Sequence, residues 1–231
     1  DMIHQPSVIY DDKGNELESV STAQLRENIP IDKMPDNLKN AFIATEDKTF
    51  YTHHGFNIIR MIGAIKDGAL NGGHVSGTST ITQQLARNIF LSFEESWERK
   101  AREIFIAREL EKKYSKSEIM EFYLNNVYFA NGYYGIQSAS LGYFGKGVNS
   151  LSLSQITFLL SIPNSPTRYN PYENIEGTLA RRDRILDQMV LDGKISEAEA
   201  SKAKSEEIKL KAPKVEKSSY ALTFALDRAV K

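Results

Sequence analysis

The segment Thr45-Glu46-Asp47-Lys48-Thr49-Phe50-Tyr51-Thr52-His53-His54-Gly55 brings two carboxylates, two imidazoles and a glycine into one short stretch. Behind Pro35, the residues Leu38, Ala41, Phe42 and Thr45 recur at helical spacing, so Glu46 and Asp47 fall near the end of a helix. The helix dipole puts its negative pole there, which tends to raise a carboxylate pKa. A raised pKa suits a general base. The same acids also read as an exposed pair bonded to Lys48 or to a loop backbone. Adjacent histidines rarely share one ion, so one of His53 and His54 reads as a structural hydrogen-bonding residue where Gly55 turns the chain.

A second stretch, Ser76-Gly77-Thr78-Ser79-Thr80-Ile81-Thr82-Gln83-Gln84, is rich in hydroxyls and amides. Free N–H groups at a helix start could hold an anion such as a phosphate, with Ser79, Thr82 and Gln83 bonding sugar or phosphate oxygens. An ordinary N-cap and polar helix explain it equally well. A third stretch is Glu98-Arg99-Lys100-Ala101-Arg102-Glu103. Its i,i+3 and i,i+4 pairs read most simply as a solvated, salt-bridged face. Between Lys116 and Lys146, Tyr123, Asn125, Tyr128, Phe129, Asn131, Tyr133 and Tyr134 crowd among glycines. Carbohydrate sites use such residues, and so do tightly packed helix–loop–helix units.

The elements that must position these residues are mostly helices. Val8–Tyr10 and Glu16–Val20 flank a Gly14 turn and read as a hairpin. Ile58, Ile62, Ile65 and Ala69 predict a helix after Asn57, ended by Gly72-Gly73. Further helices are predicted from about Ser79 to Asn88, Ser96 to Tyr114, Gly135 to Phe144, Ser152 to Ser161, Ile175 to Leu191 and Ser196 to Ser205. Ser115 with Glu118, Ser152 with Gln155 and Ser196 with Glu199 have capping-box spacing. Gly193 sits where a C-terminal cap belongs. Lys209 to Lys217 reads as a linker.

Composition bounds the function. The chain has 231 residues, 41% hydrophobic and 26% charged, enough to bury a real core. Its 29 basic and 30 acidic residues disfavour a generally basic nucleic-acid binder. With no Cys, thiol catalysis, disulfides and Cys-ligated zinc are excluded. The longest apolar run, Ile156 to Ile162, is far short of the roughly 20 residues of a membrane span.

Jointly, the stretches carry a family pattern. Glu-Asp-x-x-Phe-Tyr-x-His-x-Gly (Glu46 to Gly55) is followed by Gly-x-Ser-Thr-x-Thr-Gln-Gln (Gly77 to Gln84). Arg-Lys-x-x-Glu (Arg99 to Glu103), Lys-x-x-Ile-x-x-x-Tyr-Leu-Asn (Lys116 to Asn125) and Arg-Arg-x-x-Ile-Leu (Arg181 to Leu186) come next. In order and spacing these resemble the signature motifs of the family 51 glycosyltransferases, the bacterial peptidoglycan polymerases. The hairpin and the trailing Ser218–Lys231 segment resemble the bifunctional class A penicillin-binding proteins, with a membrane anchor before Asp1 and a transpeptidase domain beyond. No Ser-x-x-Lys penicillin-binding motif with its partners is present, so covalent β-lactam binding is not expected.

The resemblance implies a mainly α fold: a lysozyme-like large lobe, a smaller mobile membrane-facing lobe at about 57–95 and a short N-terminal β-hairpin. Residues 1–30 would be hairpin and linker, 31–208 the glycosyltransferase domain and 209–231 a linker. The implied reaction polymerises lipid II into β-1,4-linked glycan by inverting displacement of polyprenyl pyrophosphate. Glu46 matches the family's base, and Glu103 its second glutamate, which orients the leaving group's partners or helps hold a metal. Arg87, Arg99, Lys100 and Arg102 would supply cations, and Ser79, Thr82 and Gln83 would line the donor site. Asp47 and Phe50 would shape the pocket, while His53, Gly55, Lys116, Tyr123, Asn125, Arg181 and Arg182 would brace it. No cofactor is required, though a divalent cation (Mg or Mn) is compatible. Implied partners are lipid II, the growing glycan, the extracytoplasmic face of the bacterial membrane and moenomycin-type inhibitors, with no nucleic acid.

Some positions depart from the family pattern. Glu95 replaces a basic residue, Arg87 stands for Lys, and Thr78 and Ala130 replace glycines, which negative φ would tolerate. The rival readings are a lysozyme-like hydrolase, which has no pyrophosphate to neutralise, and a non-catalytic wall-binding module. Ile58, Ile59, Met61, Ile62, Phe90, Leu91 and Phe93 would either enter the bilayer interface or pack their own lobe.

Overall fold

The computed structural model describes residues 7–10, 16–20, 27–58, 79–90 and 97–213. The predicted helix after Asn57 falls almost wholly outside them, as do Thr78, Glu95 and most of the segment assigned to the small lobe. At the front, β1 (Ser7–Tyr10) pairs antiparallel with β2 (Glu16–Val20), as the sequence predicts.

Eight α-helices follow among the described residues: α1 (Asp36–Glu46), α2 (Ile81–Phe90), α3 (Trp97–Lys113), α4 (Lys116–Asn126), α5 (Ile136–Phe144), α6 (Leu153–Leu160), α7 (Ile175–Leu191) and α8 (Glu197–Ser205). All three predicted capping boxes form, each satisfying two N–H groups at a helix start.

The apolar run Ile156 to Ile162 proves to be the centre of the molecule. Helix α6 packs against α1 and α7, and Ile156, Phe158, Leu159 and Leu160 are all buried. A helix apolar all round belongs inside. Its hydroxyls are satisfied locally: Thr157 donates to Leu153 O at 2.9 Å and Ser161 to Thr157 O at 2.9 Å. Leu38, Ala41 and Phe42 turn the predicted face of α1 into this core. On the other side, α2 packs on α3 and α4. The site therefore forms where α1 ends against α2.

Two braces fix the frame. Asn125 on α4 clamps the preceding strap with both ends of its amide, donating to Ile29 O at 3.0 Å and accepting from Ile29 N at 2.9 Å. Arg182 on α7 is buried and bonds Ser154 Oγ, Glu206 O and Lys204 O, tying α6 and the chain after α8 together. Arg181 instead stacks on the Tyr169 ring, 5.2 Å from its centroid.

The condition under which Ala130 is easily tolerated is not met: it lies at φ 61°, followed by Asn131 at 49° and Gly132 at 77°. A non-glycine residue there pays about 1–2 kcal/mol for the contact of Cβ with its own backbone. The Tyr143 hydroxyl bonding Phe129 O and the paired amides of Asn131 and Asn170 hold this turn in place. The aromatic cluster is thus largely packing: Phe129 and Tyr143 are fully buried, while Tyr128 and Tyr134 stack at 4.7 Å.

Candidate active site

Glu46 is the last residue of α1. Its Oε2 accepts from Gln84 Nε2 at 3.2 Å, and Gln84 Oε1 accepts from the Tyr123 hydroxyl at 2.9 Å. The carboxylate is thus tied to α2, and through it to α4.

Asp47 behaves differently from its neighbour. It is buried and accepts from His53 Nε2 at 2.6 Å, Thr49 N at 3.2 Å, Thr49 Oγ1 at 2.9 Å and Ile81 N at 3.2 Å. Burial pushes its carboxyl up, but the hydrogen bond and charge of His53, the Thr49 hydroxyl and the Ile81 N–H outweigh this. They hold it below the usual carboxylate range. The raised pKa expected for an acid at this helix end therefore does not apply to Asp47. Nor is it bonded to Lys48, which reaches Asp192 at 3.1 Å.

The start of α2 decides between the two readings of the Ser/Thr-rich stretch. Thr80 and Gln83 form a reciprocal cap: Gln83 N donates to Thr80 Oγ1 at 3.1 Å, and Thr80 N donates to Gln83 Oε1 at 3.0 Å. The anion at this helix start is the protein's own Asp47. Thr82 also departs from expectation. It is fully buried and donates to Glu111 Oε1 at 2.5 Å, so it faces inward and does not line a donor site. Gln83 is buried as well, and its Nε2 has no hydrogen-bond partner.

Glu111 lies at the centre of a buried charge cluster. Lys116 Nζ is 2.6 Å from Glu111 Oε2, donates to His53 O at 2.7 Å and sits over the Phe50 ring at 4.8 Å. His53 Nδ1 lies 3.1 Å from Gly55 N and 3.4 Å from Glu111 Oε1, while Nε2 faces Asp47. His53, Lys116 and Phe50 therefore form a platform under the end of α1. His54 is exposed. Gly55 is required twice over: its φ is 93°, and an added Cβ would lie 2.8 Å from Ala107 O.

Helix α3 carries the cations. Lys100 pairs with Glu103 and donates to Ser79 Oγ at 2.8 Å, so α3 reaches back to the residue just before the α2 cap. Glu103 is fully buried and its Oε2 has no hydrogen-bond partner among the described residues. The solvated-face reading therefore fails at this position. Arg99 and Arg87 are half-buried, and Arg102 is exposed. No group of three or more His, Cys, Asp or Glu among the described residues could hold a metal ion. An ammonium already occupies one side of Glu103, which opposes a second cation there.

Sequence reasoning missed two residues. The Ser/Thr-rich stretch points to Gln83, whereas it is Gln84 that bonds Glu46. Glu111 carries no helical-pair signal: Thr82 and His53 come from distant segments, and Lys116 lies beyond the end of its helix.

This frame sets a carboxylate at the end of one helix beside a second helix that carries cations. Residues 13–190 match the family model described as Transglycosylase, and the chain belongs to that family. It is 41% identical to penicillin-binding protein 4 of Bacillus subtilis over 92% of this chain and 34% of that protein. With penicillin-binding protein 1F of the same organism it shares 44% identity, over 86% of this chain and 28% of that one. It thus spans about a third or less of the length of these relatives. Penicillin-binding protein 1A from Haemophilus influenzae has the same fold, at a TM-score of 0.56 and 22% identity, covering 97% of this chain and 24% of that one.

Proposed function

We propose that this domain polymerises a polyprenyl-pyrophosphate-linked disaccharide, lipid II, into β-1,4-linked glycan. The observation that carries this reading is that the stretch from Ser79 to Gln84, two residues of extended chain and the first turn of α2, binds both halves of the required chemistry. Gln84 holds the Glu46 carboxylate, while Ser79, two residues before α2, holds Lys100 of the cationic helix. That stretch spans at most about 12 Å, so base and cations serve one substrate.

Glu46 takes the proton from the acceptor's sugar hydroxyl as that oxygen attacks the donor's anomeric carbon. The bond from that carbon to the pyrophosphate oxygen breaks, and the leaving group departs with the electron pair. Attack from the opposite face converts an α-linked pyrophosphate to a β linkage. Lys100, Arg99, Arg102 and Arg87 neutralise the departing charge, with arginine suited to bidentate phosphate contact. Glu103 holds Lys100 in place from within the fold. Asp47, Phe50 and Thr82 support the site from beneath and do not touch substrate.

A lipid-borne substrate brings the domain to a membrane surface, at its extracytoplasmic face. Ile58, Ile89 and Phe105 are large apolar side chains exposed on this half of the molecule, suited to the headgroup boundary. No helix among the described residues is long and apolar enough to cross a membrane.

The test is a lipid II polymerisation assay on wild type and Glu46→Gln, with and without divalent metal. Wild type lengthens glycan, moenomycin competes with the donor, and Glu46→Gln is folded but inactive. Undiminished synthesis by that variant would remove Glu46 as base. A protein that only shortens preformed glycan would be a hydrolase.

A further inference from the structure

The base is one end of a chain of hydrogen bonds whose direction the chemistry fixes. A carboxylate only accepts, so the group that Gln84 turns toward Glu46 Oε2 must be Nε2. That leaves Gln84 Oε1 facing Tyr123, whose hydroxyl must donate. Burial, and next the negative charge of Glu46, push the Tyr123 phenol well above its usual pKa, with Arg87 pulling the other way. The phenol therefore keeps the proton it donates. Its ring lies against Phe42 on α1, with centroids 4.8 Å apart. The contact closes a loop: α4 packs its ring on α1, its hydroxyl reaches α2, and α2 returns to the last residue of α1.

We propose that Tyr123 is a positioning residue for the general base, acting through Gln84 to hold the Glu46 carboxylate in one orientation. This rests on the reading of Glu46 as base. A glutamate at a helix end has several rotatable bonds, and a base must present a lone pair within hydrogen-bond reach of the attacking hydroxyl. Gln84 alone could swing with the carboxylate. Anchored at its far end by a buried phenol, it cannot. Bracing the core needs only the Tyr123 ring, whereas positioning the base needs its hydroxyl.

Tyr123→Phe separates the two roles, because it keeps the ring on Phe42 and removes only the donor. The experiment measures kcat and KM for lipid II polymerisation against pH, with thermal melts, for wild type, Glu46→Gln, Tyr123→Phe and Gln84→Glu. In Tyr123→Phe, kcat falls about fivefold with KM unchanged, the pattern of a group acting only in the transition state. The acid limb of kcat moves to higher pH, because a loosened amide stabilises the Glu46 anion less. Among the described residues, the charged and titratable groups near this limb include Tyr123 and Arg87, together with Asp47, which is already committed to His53, Thr49 and Ile81. Gln84→Glu keeps an acceptor for Tyr123 but sets a second carboxylate against Glu46, and moves the acid limb up by about one pH unit. It carries the test if Tyr123→Phe does not fold. An unchanged kcat and pH profile in Tyr123→Phe, or in Gln84→Glu where that variant decides, overturns the relay. Activity in Glu46→Gln overturns the base reading and the relay together. An inactive Glu46→Gln beside a wild-type Tyr123→Phe overturns the relay alone.

Discussion

Asp47 Oδ2 accepts the backbone N–H of Ile81 at 3.2 Å, so the C-cap residue of α1 also holds the first turn of α2. A charged carboxylate at a helix start answers both an orphan N–H and the positive end of the dipole. Base and amide thereby keep their spacing, since Glu46 precedes Asp47 and Gln84 follows Ile81. The carboxyl is held below its usual range, so its contribution to stability is complete above the unfolded value, about 3.8, and is lost as pH falls through the lower folded value. Asp47→Asn lowers the melting temperature at neutral pH and flattens the loss of stability below about pH 4. Melts from pH 2 to 7 read both effects. Parallel curves for the two proteins would refute the assignment.

Gly55→Ala tests the platform under the site. The new methyl meets a φ of 93° and a carbonyl oxygen at 2.8 Å on α3, so backbone must move. The left-handed conformation alone costs about 1–2 kcal/mol, and the displaced His53 adds to it. Chemical denaturation should show a loss of at least about 2 kcal/mol, with polymerisation falling in parallel. A variant as stable as wild type would mean that the turn adapts freely.

Local signals were strong wherever one helix carries its own information. The three Ser capping boxes and the face of Leu38, Ala41 and Phe42 depend on residues within a few positions of each other. The cap Thr80-Ile81-Thr82-Gln83 obeys the same spacing rule and matches the N-cap alternative for that stretch, which the sequence alone leaves level with phosphate binding. The Gln84–Glu46 bond and the Thr82 and His53 contacts of Glu111 are not legible because their partners are far away in sequence. Glu46 itself was readable as a helix-end acid. What separates it from Asp47 is tertiary: one carboxylate bonds an amide, and the other is consumed by four donors.

Ala130 offers a test of backbone strain away from the chemistry. At φ 61° and fully packed, it balances a left-handed penalty against a buried methyl. Ala130→Gly relieves the first and loses the second, each worth about 1 kcal/mol, so its stability stays within about 1 kcal/mol of wild type. Ala130→Val adds a β-branched side chain to the same backbone and should cost more than about 2 kcal/mol. Urea denaturation of the pair distinguishes them. Equal stability for glycine and valine would contradict the left-handed conformation.

Lys100 and Glu103 are joined in an asymmetric pair: the lysine side chain is 32% exposed and the glutamate fully buried. Removing the lysine strands a buried charge, whereas removing both charges does not. Lys100→Met should therefore destabilise the fold by roughly 2 kcal/mol, discounted from the cost of a fully buried pair because one partner touches water. Lys100→Met combined with Glu103→Gln should recover at least half of that loss. Glycan synthesis should recover in neither, because the leaving pyrophosphate needs the cation itself. A double-mutant cycle on stability, run beside the polymerisation assay, measures both effects. Additive stability changes would mean that the two side chains do not interact. Recovery of synthesis in the double variant would mean that Lys100 only neutralises Glu103.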